Sequence, residues 1–401
     1  MIAPDTKSEM TRPKYSLVIP ALNSLNFLKM TIPTVLNNDY QDFELIVSDN
    51  LSDDQTFEYL HKLQDIRLRI VRPDIRLSMS EHYEFALSNA RGEWVNLLGA
   101  DDVPLPSIFS DMDIITKKHP KIEIVNWTRS YFFWPGVEEI YGNIRISYTE
   151  YGRQSKTSSK TELVKGFLGI KQILDLPQLY ACSFISSELI KRIKLKGAGR
   201  FYIKSIPDIY STIEILQNSN EFLRIYRPLT LVGSSNSSLG IGNRIYKDSL
   251  DNSSSGKSLL NSKINFDLHQ QKISAYYLLD VYLTFSDKHQ QLPRRTYLLM
   301  AQIGVATELL RRGMLKREIQ NFRIGAELLN FGRSQYLLPI LISFPILLLR
   351  LSIELIERVQ KYIWLKFNRE SLKLMCDSSS KVENSDQAVN AILRLRERNQ
   401  V

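Results

Sequence analysis

The chain has 401 residues, 43% of them hydrophobic and 24% charged, with 17 glycines and 15 prolines, a composition that excludes a collagen-like, low-complexity or largely disordered protein. Its two cysteines, Cys182 and Cys376, are too few and too far apart for a disulfide scaffold or a zinc site, and point to a reducing compartment. The formal net charge of +9 favours anionic partners, but no zinc-finger spacing, ribonucleoprotein aromatic signature or basic region with heptads accompanies it, so no nucleic acid is expected.

A single core stops growing near roughly 250 to 300 residues, so two structural parts are expected. Residues 1–14 read as an N-terminal extension without the apolar core of a secretory signal, and no uninterrupted apolar run reaches the roughly 18 residues of a membrane span. The expected location is cytoplasmic. From Tyr15 short apolar runs alternate with helix-like segments. Ser16–Ile19 is the first strand; Asn23 and Ser24 then supply helix-start chemistry, and Leu25, Leu28, Ile32, Val35 and Leu36 recur at helical spacing around Pro33, an expected kink.

Phe43–Val47 is the second strand, followed by a helix capped by Ser52 or Asp53 that carries Phe57, Leu60 and Leu63 on one face. Leu68–Val71 is the third strand, a helix runs from about Ser80 to Asn89, and Trp94–Leu98 is the fourth strand. Strands joined by helical crossovers imply an α/β fold, Rossmann-like, with a mostly parallel central sheet flanked by helices. Beyond Pro106 come a helix through Lys118, a strand over Ile122–Trp127, helices over Glu162–Leu174, Ser186–Ile193 and Asp208–Leu216, and a strand over Leu223–Val232 interrupted by Pro228.

The polar stretch 233–258 is too long for a passive loop in a compact domain and reads as a lid or a disordered segment. Residues 15–258 therefore form one α/β domain, and 259–376 a C-terminal helical unit whose helices end at Gly313 and Gly332. The tail, 377–401, is polar, with one isolated helix over Ala388–Glu397.

Three segments fall just beyond strand ends, where an open parallel sheet places its functional groups: Ile19-Pro20-Ala21-Leu22-Asn23, Val47-Ser48-Asp49-Asn50 and Leu98-Gly99-Ala100-Asp101-Asp102. Carboxylates meeting in one crevice repel each other unless a cation or hydrogen-bond donors intervene. Oxygen-only ligands suit Mg²⁺ or Mn²⁺, which complete their shell with substrate phosphates. The plain alternative for an Asp-Asp pair is a solvated turn or a helix cap.

These residues resemble the inverting family 2 glycosyltransferases with the GT-A fold, over roughly residues 15–235 and most densely over 15–106. The resemblance implies a nucleotide-binding half at 15–106 and an acceptor half at 107–258. Pro20, Ala21 and Asn23 would border the nucleotide base, and Asp49 would hydrogen-bond uracil. Leu98–Pro106 is similar to the family's Asp-x-Asp region, so Ala100, Asp101 and Asp102 would line the donor and Asp101 and Asp102 would hold the metal, although Gly99 stands where the first acid is common. Arg76, with Leu77–Ser80, resembles the loop beside base and ribose, a surface role being the alternative; His82 reads as structural.

Ser205-Ile206-Pro207-Asp208 resembles the segment that carries the family's general base, which makes Asp208 the expected base, a plain helix N-cap being its alternative. The loop Gly233–Ser238 could close over the diphosphate or be a linker. The implied partners are a nucleotide-sugar donor and a saccharide or lipid-linked acceptor. The apolar run Tyr336–Leu349 is too short to span a bilayer, so residues 336–369, with their basic flank, are expected either to dip into an anionic membrane surface or to pack inside the helical unit. The first option would make the protein peripheral on the inner face of the cell membrane. Competing functions are a sugar-phosphate nucleotidyltransferase, for which Ala21–Ser24 lacks the phosphate signature, and a catalytically silent binding module.

Overall fold

The computed structural model describes residues 12–137, 144–145, 153–197, 199–202, 207–235, 294–311 and 337–367, together with 313, 322, 332, 387–390 and 393. In chain order the first half runs β1 (Tyr15–Ala21), α1 (Leu25–Leu36), β2 (Phe43–Asp49), α2 (Thr56–His61), β3 (Leu68–Val71), α3 (Met79–Ser88), β4 (Trp94–Leu97), β5 (Val103–Pro104) and α4 (Ile108–Lys118). Then follow β6 (Ile124–Trp127), β7 (Ser130–Phe133), β8 (Ile144–Arg145), β9 (Gln154–Ser158), α5 (Ser159–Phe167), β10 (Ser183–Ser186), α6 (Ser187–Lys196), α7 (Pro207–Gln217), β11 (Glu221–Ile225) and β12 (Thr230–Ser234). Among the described residues the C-terminal helical region contains α8 (Arg294–Arg311) and α9 (Leu337–Phe367).

The expected α/β architecture is present: eight strands form one sheet in the order β3-β2-β1-β4-β10-β6-β11-β9. The first four strands are parallel neighbours, while β10 runs antiparallel to both β4 and β6. Reversing twice leaves β6 parallel to β4, so their C-terminal ends share a rim. The two faces of β1 show why the sheet is covered on both sides. Tyr15, Leu17 and Ile19 join α1 and α4 in one core cluster, whereas Val18 faces the cluster containing α3, α5, α6 and α7.

A smaller sheet, β5-β12-β7-β8, stands beside the rim. It explains a departure from the expected strand over Leu223–Val232: the chain leaves the large sheet at Ile225 and enters the small one at Thr230, with Pro228, which has no N–H for a ladder, in the crossover. The helix expected over Glu162–Leu174 likewise ends at Phe167, because Gly169 takes a positive φ of 71°. The caps also differ. Neither Ser52 nor Asp53 opens α2; the Asp54 carboxylate accepts from Thr56 N at 3.2 Å and from Leu25 N at 3.0 Å, so one side chain serves two helix starts. Gly313 does stand past a helix, at φ 65°, donating to Leu310 O at 3.0 Å. Ala388 and Val389 are buried against Val103, Phe132 and Trp134, so this part of the expected isolated tail helix is docked.

The C-terminal helix overturns the expectation of a short apolar element. α9 continues through Pro345 and Arg350, and Leu337–Gln360 is long and apolar enough to cross a membrane by length and composition, with only 17% of its apolar window buried. Among the described residues most of its apolar surface is left exposed. One side is fixed: Arg350, 5% exposed, donates to Glu308 of α8 at 2.9 Å, to Gly169 O at 2.8 Å and to Glu354 at 3.0 Å. Residues 236–293, Cys376, Ser205 and Ile206 lie outside the described residues.

Candidate active site

The rim is assembled by loops that tie one another down. Asn23, at φ 50°, accepts from Asp53 N at 2.8 Å through its side chain, and its own N–H donates to Ser52 Oγ at 2.8 Å. Asn50 exchanges two 2.9 Å hydrogen bonds with the backbone of Leu77 and donates its N–H to Ala21 O. Pro20 and Ala21 lie inside β1, paired with Ser48 and Asp49, rather than beyond its end. Arg76 is half exposed and donates to Leu51 O and to Asp53 at 2.7 Å, staying at the mouth. His82 is buried with Nε2 2.9 Å from Ser48 Oγ, and burial lowers its pKa to about 4, so its ring is neutral.

Asp49 is fully buried and accepts from Ser52 N at 3.3 Å. Its principal partner was not legible beforehand: Arg72, just after β3, lies 3.1 Å away and stacks its guanidinium 4.1 Å from the Phe57 ring centre. Register explains the meeting, since β2 and β3 are parallel with Ser48 opposite Val71.

At the end of β4 the two aspartates part company. Asp102 is fully buried and accepts from Gly99 N at 2.6 Å and from Gly233 N at 2.8 Å, one bond to each oxygen. Burial, with the neighbouring charge of Asp101, pushes it up to about 8 despite these bonds and the charge of Arg129. It therefore clamps the β4 turn to β12. Asp101 is partly exposed; Ser235 Oγ approaches its carboxylate at 3.3 Å, and Trp134 Nε1 donates to its carbonyl at 2.9 Å. Thr31 holds the Ala100 carbonyl at 2.8 Å.

Two glycines make this contact possible. A Cβ on Gly233 would lie 1.9 Å from the Asp101 carbonyl oxygen. On Gly99 it would lie 2.6 Å from the Tyr180 hydroxyl and 2.8 Å from Asp101 Oδ1, so the place of a first acid is filled by a phenol. Gly233 and Ser234 belong to β12, not to a free loop; Asn236, Ser237 and Ser238 are outside the described residues.

Asp208 enters the same crevice from α7. Pro207 opens that helix, which puts Asp208 in its first turn rather than at the cap. Its carboxyl is pushed up by burial, an effect the charge of Arg129 opposes. The approach to it is fixed by α3, whose Glu84 accepts from Phe201 N and Tyr202 N, both at 2.8 Å. Tyr83 and Tyr180 stand between the two acidic ends. Burial first, then Asp101, Asp102 and Asp208, raise both phenols well above their ordinary range, so they remain hydroxyl donors. Their rings lie 6.4 Å apart, and Tyr83 meets Tyr202 edge-on at 5.6 Å. Arg129, between β6 and β7, and Tyr180, just before β10, were missed by sequence reading because only strand order brings them here.

The donor set for a cation is oxygen only: Asp101, with Ser235 beside it and Asp102 behind. Among the described residues no group of three or more histidine, cysteine or acidic side chains could hold a metal. Such a set fits Mg²⁺ or Mn²⁺ only if a substrate supplies further oxygens.

Residues 16–170 match the profile of Glycosyl transferase family 2. Over 208 residues the chain is 26% identical to the GalNAc(5)-diNAcBac-PP-undecaprenol beta-1,3-glucosyltransferase of Campylobacter jejuni, an alignment covering 49% of this chain and 64% of that protein. It is 26% identical over 87 residues to the UDP-Glc:alpha-D-GlcNAc-diphosphoundecaprenol beta-1,3-glucosyltransferase WfaP of Escherichia coli, covering 22% of this chain and 35% of that one. The matches thus span about one to two thirds of these relatives. Among solved structures, S. aureus TarS 1-349 in complex with UDP-GlcNAc aligns over 81% of this chain and 79% of that one, with 14% identity and a TM-score of 0.48.

Proposed function

We propose, from the premise that this chain belongs to glycosyltransferase family 2, that it transfers a sugar from a uridine diphosphate sugar to a lipid-linked saccharide, with inversion at the anomeric carbon. The observation that carries the reading is the convergence of Asp101 and Asp208, a partly exposed and a part-buried carboxylate from distant segments, on one crevice lined by tyrosine hydroxyls. The C. jejuni and E. coli relatives, whose names specify undecaprenol-linked acceptors, favour that acceptor class.

Uracil presents an N–H between two carbonyls. Asp49 can accept from the N–H while Arg72 beside it donates to a carbonyl, and the Asn23 and Asn50 turns keep this end of the crevice closed. Asp101 would hold Mg²⁺ or Mn²⁺ together with the diphosphate, and Asp102 would keep Asp101 in place from behind. When bound, the ion supplies charge neutralisation at the leaving diphosphate. Asp208 takes the proton of the acceptor hydroxyl as its oxygen attacks; a raised pKa makes it a stronger base than an exposed aspartate. The exposed apolar side chains of α9, among them Leu341, Phe344, Leu348 and Leu355, would rest on the membrane carrying the acceptor, beside the basic Arg358.

The direct test is transfer from a panel of nucleoside diphosphate sugars to a polyprenyl-diphosphate-linked saccharide, with Mn²⁺, with Mg²⁺ and with chelator. Metal-dependent transfer from a uridine donor, abolished by Asp101→Asn, is the expected result. Nucleotidyl transfer to a sugar phosphate, or neither reaction, would remove the proposal.

A further inference from the structure

By length α9 could be a membrane span. Its Leu337–Gln360 portion has 24 residues, about 36 Å of helix against a hydrocarbon core of roughly 30 Å. The neighbours of its middle decide otherwise. Arg350, close to the midpoint of that portion, is held to Glu308 of α8 at 2.9 Å and to Gly169 O, beyond the end of α5, at 2.8 Å. α8 in turn lies tight on α5, since a Cβ on Gly304 would fall 2.1 Å from Phe167 O.

A spanning α9 would draw these neighbours toward the bilayer centre with it. Among them are Lys171, two residues past Gly169 and paired with Glu162, and Arg311, paired with Glu308 at 3.1 Å. Each such cation costs roughly 2.5 to 3.5 kcal/mol at the centre of an inserted helix. The sides of α9 point the same way. Pro339, Ser343 and Arg350 are buried on one side, while Leu341, Leu348 and Leu355, spaced by seven, are 61% to 66% exposed on the other. The apolar stripe therefore runs along the helix from end to end and does not encircle it. A helix covered by protein along one side and apolar along the other suits a flat interface parallel to its axis. Past it the charge is one-sided too: all four charged residues from Arg358 to Arg369 are basic, which complements anionic headgroups.

We propose that α9 is an in-plane anchor: it lies along one leaflet of an anionic bilayer, immerses Leu341, Leu348 and Leu355, and does not cross. The inference rests on the membrane contact proposed above and fixes its geometry. Chain on both sides of α9 then stays on the face of the bilayer that carries the crevice. The acceptor is met at the leaflet surface, so it must be an amphiphile whose reacting sugar stands clear of the headgroups.

The test measures depth. In the full chain carrying Cys376→Ser, with Cys182 buried and so unlabelled, a fluorophore is attached at Leu341→Cys, Leu348→Cys or Leu355→Cys. Its depth is read with quenchers fixed at different levels of the lipid chains. On phosphatidylglycerol vesicles all three labels should lie at one depth, about 5 to 10 Å into the headgroup and acyl boundary. In a span seven residues rise about 10 Å, so the middle label would lie deeper than the other two by that amount, which would overturn the in-plane anchor. A label at Leu195→Cys on α6, 84% exposed, should stay unquenched; quenching there as strong as on α9 would remove the assignment to α9. The unlabelled chain should bind phosphatidylglycerol vesicles at least about tenfold more tightly than phosphatidylcholine vesicles, and equal affinity would overturn the anionic partner. Labels already shielded without lipid, in a chain that sediments as a dimer, would give the stripe to a second copy instead. A chain that binds no vesicle refutes the membrane contact itself, while the transferase reading stands or falls separately on sugar transfer in detergent.

Discussion

The crevice at the end of β4 and the surface of α9 depart from the usual partition of polar and apolar groups in opposite directions. The first encloses Asp49, Asp102 and the donors of Arg129, while the second leaves Leu341, Leu348 and Leu355 between 61% and 66% exposed. Neither arrangement favours the isolated chain. Buried charge costs several kcal/mol unless paired, and an apolar helix face gains nothing from water. The proposed function supplies a distinct remedy for each: a ligand carrying a cation and phosphates for the crevice, a lipid surface for α9. Arg350 fixes α9 to the rest of the chain, since its bonds to Glu308 and Gly169 O hold α9 against α8 and the end of α5.

The comparison is sharpened most by Asp208→Asn. Transfer should fall on the order of 10²- to 10⁴-fold. Because burial raises the folded pKa of Asp208, its charged form weakens the fold above the ordinary carboxylate range, so the variant should melt no lower than wild type at pH 7. A lower melting temperature with normal turnover would mean that Asp208 is structural.

Arg350→Met should be next in size. Removing the α9 partner leaves Glu308 paired with Arg311 at 3.1 Å, so the cost should stay below the roughly 3 to 5 kcal/mol of a fully broken buried pair, and protease should then cut near α9 first while UDP affinity is kept. Loss of UDP affinity would show that the two regions are not separable.

His82 gives a pH signature beneath the crevice floor. Its folded pKa is depressed from 6.5 to about 4, so its contribution is complete above 6.5 and declines as acid protonates the unfolded imidazole first. Replacement by Gln should flatten the pH dependence of melting between 6.5 and 4 by up to about 3 kcal/mol. An unchanged slope would place the acid sensitivity elsewhere.

The smallest effect on the fold is expected on α9. Leu341→Ser, Leu348→Ser and Leu355→Ser together should shift stability by no more than about 0.5 kcal/mol each, as exposed substitutions do. Sedimentation with anionic vesicles should nonetheless be lost. Retained vesicle binding would leave the leucines without a membrane role.

The strands around the donor end were legible because their periodicities are local. β3 begins and ends where its apolar run does, and Asp49 and Asp101 fall at strand ends that the alternation marks. The division of labour between Asp101 and Asp102 was not, since Gly233, which occupies Asp102 Oδ1, lies 131 residues away. Arg72 has no motif of its own, and only the register of β2 against β3 gives it Asp49. α9 was underestimated for another reason: a count of consecutive apolar residues stops at Arg350, whereas a helix can bury that one side chain on α8 and continue.

By itself the sequence determined an α/β domain with acidic residues at the ends of its strands, because side-chain period and strand-end chemistry are encoded within a few residues. Tertiary structure alone decided how the two carboxylates after β4 differ. Strand order and the small second sheet commit Asp102 to backbone N–H groups and leave Asp101 partly open. The same topology brings Arg129, Tyr180 and Asp208 to it from segments that share no local pattern.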